Sequence, residues 1–388
     1  MAERAPEKRE VTGSTPVPTT MRRAAGVVLV CLLVVACGGD DSGDAASSPS
    51  GSSATGDDRD LGPLSELLAA VPDAGGNESF VIVNDFAGAR EANDVDALDD
   101  DASDDEVTDH LLALTLRAEG VVPLVSEFAG GQTTDQAARV DEIGFDFRAV
   151  EADITAGPPP QQLQVVAGDF DPDTIEAAVE NDPIWSDVLE EGEIDGVTVY
   201  SWLDEGDVEF ERNSATRPTG ESARLAVLSD ERLAWSRGDD AIEAVIEEDD
   251  DLADRDDLGD LGAVLDDAGA VSAFLSASVV DPDDPPDGFE PYTAFGVAGG
   301  VDDDGEPILF VALWHEDEDA AEANVDALEA YAESESGDDT FPQVIPVDIE
   351  QEGHVTLGTF RVPDPDSWSR LAFLGDTLVE ADTGVGPG

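Results

Sequence analysis

The sequence predicts an α+β fold: mostly antiparallel sheet with interspersed helices, arranged as two related halves. Three observations carry this expectation. Strand-like runs come in pairs across short turns, as in "VEADITAG" and "QLQVVAGDF" around Pro158, Pro159 and Pro160, and short connections imply antiparallel pairing. Helical periodicity falls between those pairs rather than after every strand, unlike the strict alternation of a doubly wound parallel sheet. Finally, strand-to-helix junctions repeat. "GDFDPDTIEAAVE" and "FRVPDPDSWSRLA" pass through Asp-Pro-Asp, whereas "LAWSRGDDAIEAV" and "ALWHEDEDAAEANV" end a strand at tryptophan and open an acidic helix.

Along the chain, Leu61, Leu64, Leu68 and Val71 fall at helical spacing and Pro72 ends that segment. "SFVIVND", Ser79 to Asp85, reads as a strand. The acidic stretch "DVDALDDDASDDE" leads into a helix over Glu106 to Ala118, with Val107, Leu111 and Leu114 on one face, and a second helix covers Thr134 to Ile143. After the paired strands at residues 150–170 a helix begins near Asp173. "GVTVYSW", "ARLAVLS" and "ERLAWS" follow as strands, then helices over Asp239 to Glu247 and "LGDLGAVLDDAG". "VSAFLSASVV", "YTAFGVAGG" and "PILFVALW" are strands, and a long helix runs from Asp319 to Glu333. "QVIPVDIEQ" and "HVTLGTFRV" close the sheet before a short helix near Trp368.

Asp171 and Asp364 suit helix N-caps, the prolines after them suit the first helical position, and Asp173 and Asp366 suit the positive end of the helix dipole. The four junctions occur in the order Asp-Pro-Asp, Trp, Trp, Asp-Pro-Asp. They divide the body near Asp281 to Pro286 into a first half, 61–280, and a second, 281–388, although independent use of one capping chemistry explains them nearly as well.

Charge excludes one class of partner. Against 92 Asp and Glu there are 18 Lys and Arg, a formal net charge of -74. The only lysine is Lys8, and nucleic acid is a poor partner because its binding rests on neutralising phosphates with Lys and Arg. The acidity reads as a solvated surface screened by counterions, with diffuse cation binding and a cationic partner as the other readings. Both cysteines, Cys31 and Cys37, precede Gly38. The chain beyond them therefore holds no disulfide, cysteine nucleophile or thiolate metal site.

Arg22 and Arg23 precede thirteen uncharged residues, Ala24 to Ala36. That run is short for a membrane span, which needs about 20 residues, and it fits a signal-peptide core. Val34-Val35-Ala36-Cys37 then resembles the lipobox of bacterial lipoproteins, with Val34 where leucine is commoner. The resemblance implies a signal peptide over residues 1–36, cleavage before Cys37, and a thioether-linked diacylglycerol on that cysteine. It places the protein on the outer face of the cytoplasmic membrane, with membrane lipid as a partner through acylated Cys37. Residues 1–20 lie outside the mature fold, and Met21 opens a signal of familiar proportions. The mature chain carries 13 arginines against 89 carboxylates, a formal -76. Residues 37–60 supply the lipidated cysteine and a flexible acidic Gly/Ser tether. Its 23 residues from Gly38 to Asp60 span about 25 Å. The segment "IGFDFRAVEADITAGPPPQQLQVVAGDFDPDTIEAAV" is also loosely similar to a unit of uncharacterised bacterial envelope proteins, which implies no known chemistry.

The remaining motifs point away from catalysis. His110, His315 and His354 are the only histidines, none is at metal-ligand spacing with another, and no G-x-S-x-G is present. Asp169, Asp171, Asp173 and Glu180 stand at calcium-loop offsets, but Thr174 replaces the glycine of position 6 and a capped helix explains them better. Asp304-Gly305 reads as a hairpin tip. Trp185, Tyr200 and Trp202 read as core rather than as a ligand platform. No cofactor, metal site or catalytic residue is expected, and Cys37 is the one residue with an assigned chemical role. The expectation is a non-catalytic binding or structural envelope lipoprotein. The alternatives are a solute-binding lipoprotein of a transporter, which a hinged two-lobed body would favour, and a carboxylate-dependent hydrolase, which needs a buried acid pair in an aromatic cleft.

Overall fold

A computed structural model describes residues 61–361 apart from 100–101, 116–122, 124–135, 159–161, 249, 278–284, 286–287, 303–304 and 336–343. Cys37, the tether, and the junction with Asp364, Asp366 and Trp368 lie outside the described residues, as does most of Asp281–Pro286. Among the described residues are eight α-helices and twelve strands, and all the strands join one antiparallel sheet. The α+β, antiparallel expectation holds.

The chain runs α1 (Pro63–Leu68), β1 (Val81–Asp85), α2 (Phe86–Ala92), α3 (Asp104–Thr115), α4 (Gln136–Ile143), β2 (Val150–Ala156), β3 (Leu163–Gly168), α5 (Pro172–Asn181), β4 (Leu189–Ile194) and β5 (Val197–Trp202). It continues through β6 (Ala223–Val227), β7 (Arg232–Ser236), α6 (Asp239–Glu247), α7 (Asp256–Asp267), β8 (Ala270–Ala277), β9 (Ala294–Val301), β10 (Pro307–Trp314), α8 (Glu318–Glu335), β11 (Ile345–Glu352) and β12 (Val355–Arg361). Across the sheet the order is β11-β12-β10-β9-β8-β1-β2-β3-β7-β6-β5-β4.

That order contains one topology twice. The unit α7-β8-β9-β10-α8-β11-β12 lays its strands down as β8-β9-β10-β12-β11; α1, β1, β2, β3, α5, β6 and β7 repeat the pattern as β1-β2-β3-β7-β6. The first unit adds α2 to α4 after β1 and the hairpin β4-β5 after α5. β1 and β8 meet antiparallel at the centre, Val83 opposite Ala273. By topology the division falls ahead of Asp256, and 281–286 belongs to the β8-β9 connection. The repeated junctions occupy equivalent places in crossed fashion. The step from β3 to α5 uses Asp-Pro-Asp where β10 to α8 uses tryptophan, and β7 to α6 uses tryptophan where Asp-Pro-Asp follows β12. The choice of cap therefore does not follow the topological repeat.

Alternation along the strands sends apolar residues to both faces. On one face Val81, Val83, Ile154, Leu163, Ala273, Leu275, Ile308 and Phe310 pack with the leucines of α1 and α7 and with Ile242 of α6. On the other, α3, α4 and α5 cover the first unit, with Leu111, Ile143 and Ile175 beside Trp202 and Trp235. Leu328 and Ala332 of α8 cover the second, over Phe295, Leu309 and Phe360. Each fully buried leucine contributes about 1.5–3 kcal/mol. α1 and α7 approach closely at Gly262, where a Cβ would stand 2.7 Å from Leu68 Cδ1.

Three local differences from the expected elements have physical causes. α3 starts at Asp104 rather than Glu106 because Ser103 and Glu106 form a capping box, Ser103 Oγ donating to Glu106 Oε2 at 2.6 Å. α2 is additional, and Asp85, the last residue of β1, caps it by accepting from the Gly88 amide at 2.9 Å. β4 is additional too: "LEEGEI" is acidic, exposed and without alternation, and it pairs with β5 through an Asp195-Gly196 turn with φ of 46° and 88°.

Candidate functional site

The most concentrated chemistry in the described residues lies on the face of the first unit covered by α3 to α5, where α4, the segment between α5 and β4, and the long β5-β6 connection converge. That connection brings Arg217 in against the sheet. The guanidinium carbon stands 4.1 Å from the ring centre of Trp185 and 4.3 Å from that of Trp202, and the side chain is 1% exposed. The two rings form a sandwich whose negative faces attract the cation, most strongly where water is excluded.

Glu142 of α4 neutralises the arginine. Arg217 Nη2 donates to Glu142 Oε1 at 2.8 Å. The same carboxylate accepts from the Ser214 hydroxyl at 2.7 Å, the Thr216 amide at 3.1 Å and the Thr216 hydroxyl. Trp185 Nε1 donates to Ser214 Oγ at 3.0 Å, closing the cluster. Burial pulls the Arg217 guanidinium down to about 10, against the upward pull of Glu142. Arg217 Nε and Nη1 and Trp202 Nε1 have no hydrogen-bond acceptor. Three of these donors reach Glu142 Oε1 and the Thr216 amide reaches Oε2, so the carboxylate ties α4 to the β5-β6 connection.

A second polar group crosses the sheet where the two units meet. Ser272 Oγ on β8 donates to Asn84 Oδ1 at 2.9 Å, Asn84 Nδ2 on β1 donates to Asp153 Oδ1 at 2.8 Å, and Gln164 Nε2 on β3 donates to Asp153 Oδ2 at 3.1 Å. All four side chains are buried. Thr155, directly opposite Gln164 in the β2-β3 register, is buried as well. Its hydroxyl and Gln164 Oε1 lack partners.

The histidines are separate from both groups. His110 is buried on α3 beside Phe147; burial and the charge of Arg90 hold it below the usual histidine range. His315 and His354 lie at the β10 and β12 ends. His315 is buried, with Nδ1 2.9 Å from the Pro291 carbonyl and Nε2 3.1 Å from Thr356 Oγ1, whose hydroxyl lies 2.8 Å from the Ala321 carbonyl. His354 stacks on Trp314 with ring centres 5.8 Å apart.

Sequence-level candidates are dispersed. Asp171 is spent as the cap of α5, taking the Asp173 amide at 3.2 Å and the Thr174 hydroxyl at 2.5 Å. Trp185, Tyr200 and Trp202 are buried in the core, and Trp185 and Trp202 also hold Arg217. The sequence reading did not identify Arg217 or Glu142. They lie 75 residues apart, and "ATRPTG" has no periodicity to mark it. Among the described residues, no group of three or more His, Cys, Asp or Glu side chains is placed to hold a metal ion.

Fold and site together define an α+β protein on a single antiparallel sheet, duplicated in topology, whose scarce cations bridge its segments. Seven arginines, 148, 212, 217, 224, 237, 255 and 361, each pair with a carboxylate. No protein-family model, curated protein or solved structure matches the chain.

Proposed function

We infer that the chain is a bacterial lipoprotein held on the outer face of the cytoplasmic membrane through acylated Cys37, and that its body works by binding or as a structural element rather than by catalysis. One observation carries the reading. Val34-Val35-Ala36-Cys37 stands between a short apolar core and a 23-residue acidic spacer, the order in which export, cleavage, lipidation and stand-off from the bilayer are needed. Two or more acyl chains hold a protein stably, whereas one holds it marginally. The spacer keeps a strongly anionic body away from anionic headgroups. The non-catalytic part of the reading is supported by how these buried carboxylates are used: Glu142 and Asp153 accept hydrogen bonds from the groups packed around them.

Mass spectrometry of the mature N-terminus tests the anchor. The expected species begins at a diacylglyceryl-modified Cys37, and Cys37→Ala releases the protein from membranes. An unmodified Cys37, or cleavage elsewhere, overturns the reading. A thermal-shift series separates the roles of the acidity: stabilisation by any salt at equal ionic strength marks screening of a solvated surface, and saturable stabilisation by calcium alone marks sites.

A further inference from the structure

The β5-β6 connection carries more than the buried arginine. Phe210 is 75% exposed, the most exposed of the large apolar side chains among the described residues, and Val208 and Ile184 are 44% and 38% exposed. A large apolar residue at a loop tip would ordinarily be free to fold back. This one is clamped. The Glu209 amide donates to the Gly220 carbonyl at 2.7 Å and the Ser222 amide to the Asp207 carbonyl at 2.9 Å, while Val208 bridges Glu221. Arg212 ties the segment bearing Phe210 to the one bearing Ile184, through the Ile184 carbonyl at 2.5 Å and Asp187 Oδ2 at 2.9 Å. Further along, Arg217 is locked between Trp185 and Trp202. The hairpin β4-β5 and the β5-β6 connection that follows it are additions of the first unit, with no corresponding strands among the described residues of the second.

We propose that Phe210, with Val208 and Ile184, is a preformed docking surface for a basic protein segment that brings an apolar side chain of its own. Two physical features select that partner. A backbone held in place before binding has little ordering entropy left to lose, which leaves only the side chains to be ordered at the contact. Exposed Asp204, Asp207 and Glu211 lie along the same segment, beside Asp187 and Glu209, which already pair with Arg212; the remaining negative charge favours lysine or arginine and disfavours both a second copy of this chain and an anionic bilayer. The proposal rests on reading the body as a binding module, but not on the lipid anchor.

The test uses the purified full chain and two labelled peptides of equal charge, one alternating lysine with phenylalanine and one alternating lysine with serine. Fluorescence anisotropy at about 0.15 M salt, where long-range attraction is screened, should show the phenylalanine peptide binding about ten-fold more tightly. Phe210→Asp and Val208→Asp should abolish that difference while leaving the melting temperature unchanged. The aspartates add negative charge, so attraction by charge alone would leave binding unchanged or strengthen it, and that result overturns the proposal. Equal affinity for the two peptides overturns it too. So would Phe210-dependent self-association in sedimentation velocity, which assigns the surface to a second copy, or Phe210-dependent binding to phosphatidylglycerol vesicles, which assigns it to membrane. The mature N-terminus is read independently, so an unlipidated Cys37 beside intact Phe210-dependent peptide binding separates failure of the anchor from failure of this proposal.

Discussion

Arg217 Nη2 lies 2.8 Å from Glu142 Oε1, with both side chains sealed from solvent. Removing one member of such a pair strands a buried charge. Glu142→Gln and Arg217→Met should each cost about 3–5 kcal/mol. Joint replacement by apolar residues should cost far less than the sum, because no charge is left uncompensated. Urea unfolding of the two single variants and the double variant measures this directly; additive losses would show that the two residues act separately.

Thr155 should behave in the opposite sense. Its buried hydroxyl has no partner, so Thr155→Val removes an unsatisfied group at nearly constant volume and should raise stability by about 1 kcal/mol. Asp153→Leu, which strands the donors of Asn84 and Gln164, should lower it. Both are read from the urea midpoint at constant slope.

α1 depends on a carboxylate from another helix. Gly62, at its N-cap, offers no side chain, and Asp266 of α7 instead accepts from the Leu64 and Ser65 amides at 2.9 Å each and from Ser65 Oγ at 2.6 Å. Asp266→Ala should cost about 1–2 kcal/mol, the range for losing a cap. Hydrogen exchange should localise the loss to α1 and its contact with α7.

His315 should make stability depend on pH. Its neutral ring must carry the proton on Nδ1 to reach the Pro291 carbonyl, so Nε2 and the Ala321 carbonyl compete for the single Thr356 hydroxyl proton. Protonation would let all three bonds form, yet burial prevails and holds His315 below its ordinary 6.5, helped by the charge of His354. The unfolded chain therefore takes up the proton first. This contribution to stability is complete above about pH 6.5 and is lost as pH falls through the lower folded value. Between about pH 7 and 5.5 the wild type should lose more stability than His315→Gln; parallel losses in urea titrations would refute this.

Much of the architecture was legible because it rests on local signals. Val107, Leu111 and Leu114 share a helix face and are buried, and Asp171 caps α5 with Pro172 at its first position. β4 escaped because an exposed acidic edge strand has no buried face to impose alternation; the Asp195-Gly196 pair was its one signal. α2 escaped because its cap, Asp85, read as the end of a strand. The cluster around Arg217 was illegible for a different reason. It is assembled from α4, the segment after α5 and the β5-β6 connection, and pairing over such separations leaves no spacing to detect. The two tryptophans read only as core, and their second use depends on a residue in a polar stretch.

The pairing of β1 with β8 also constrains how the chain can be made. Val81 lies opposite Leu275, so a strand emerging early waits for one about 190 residues later, a closure that is slow on entropic grounds. Until then the first unit can complete its own hairpins, but "VIVND" stands as a bare apolar ribbon able to recruit any unpaired strand. A pause in synthesis between the two units would lengthen the time at risk.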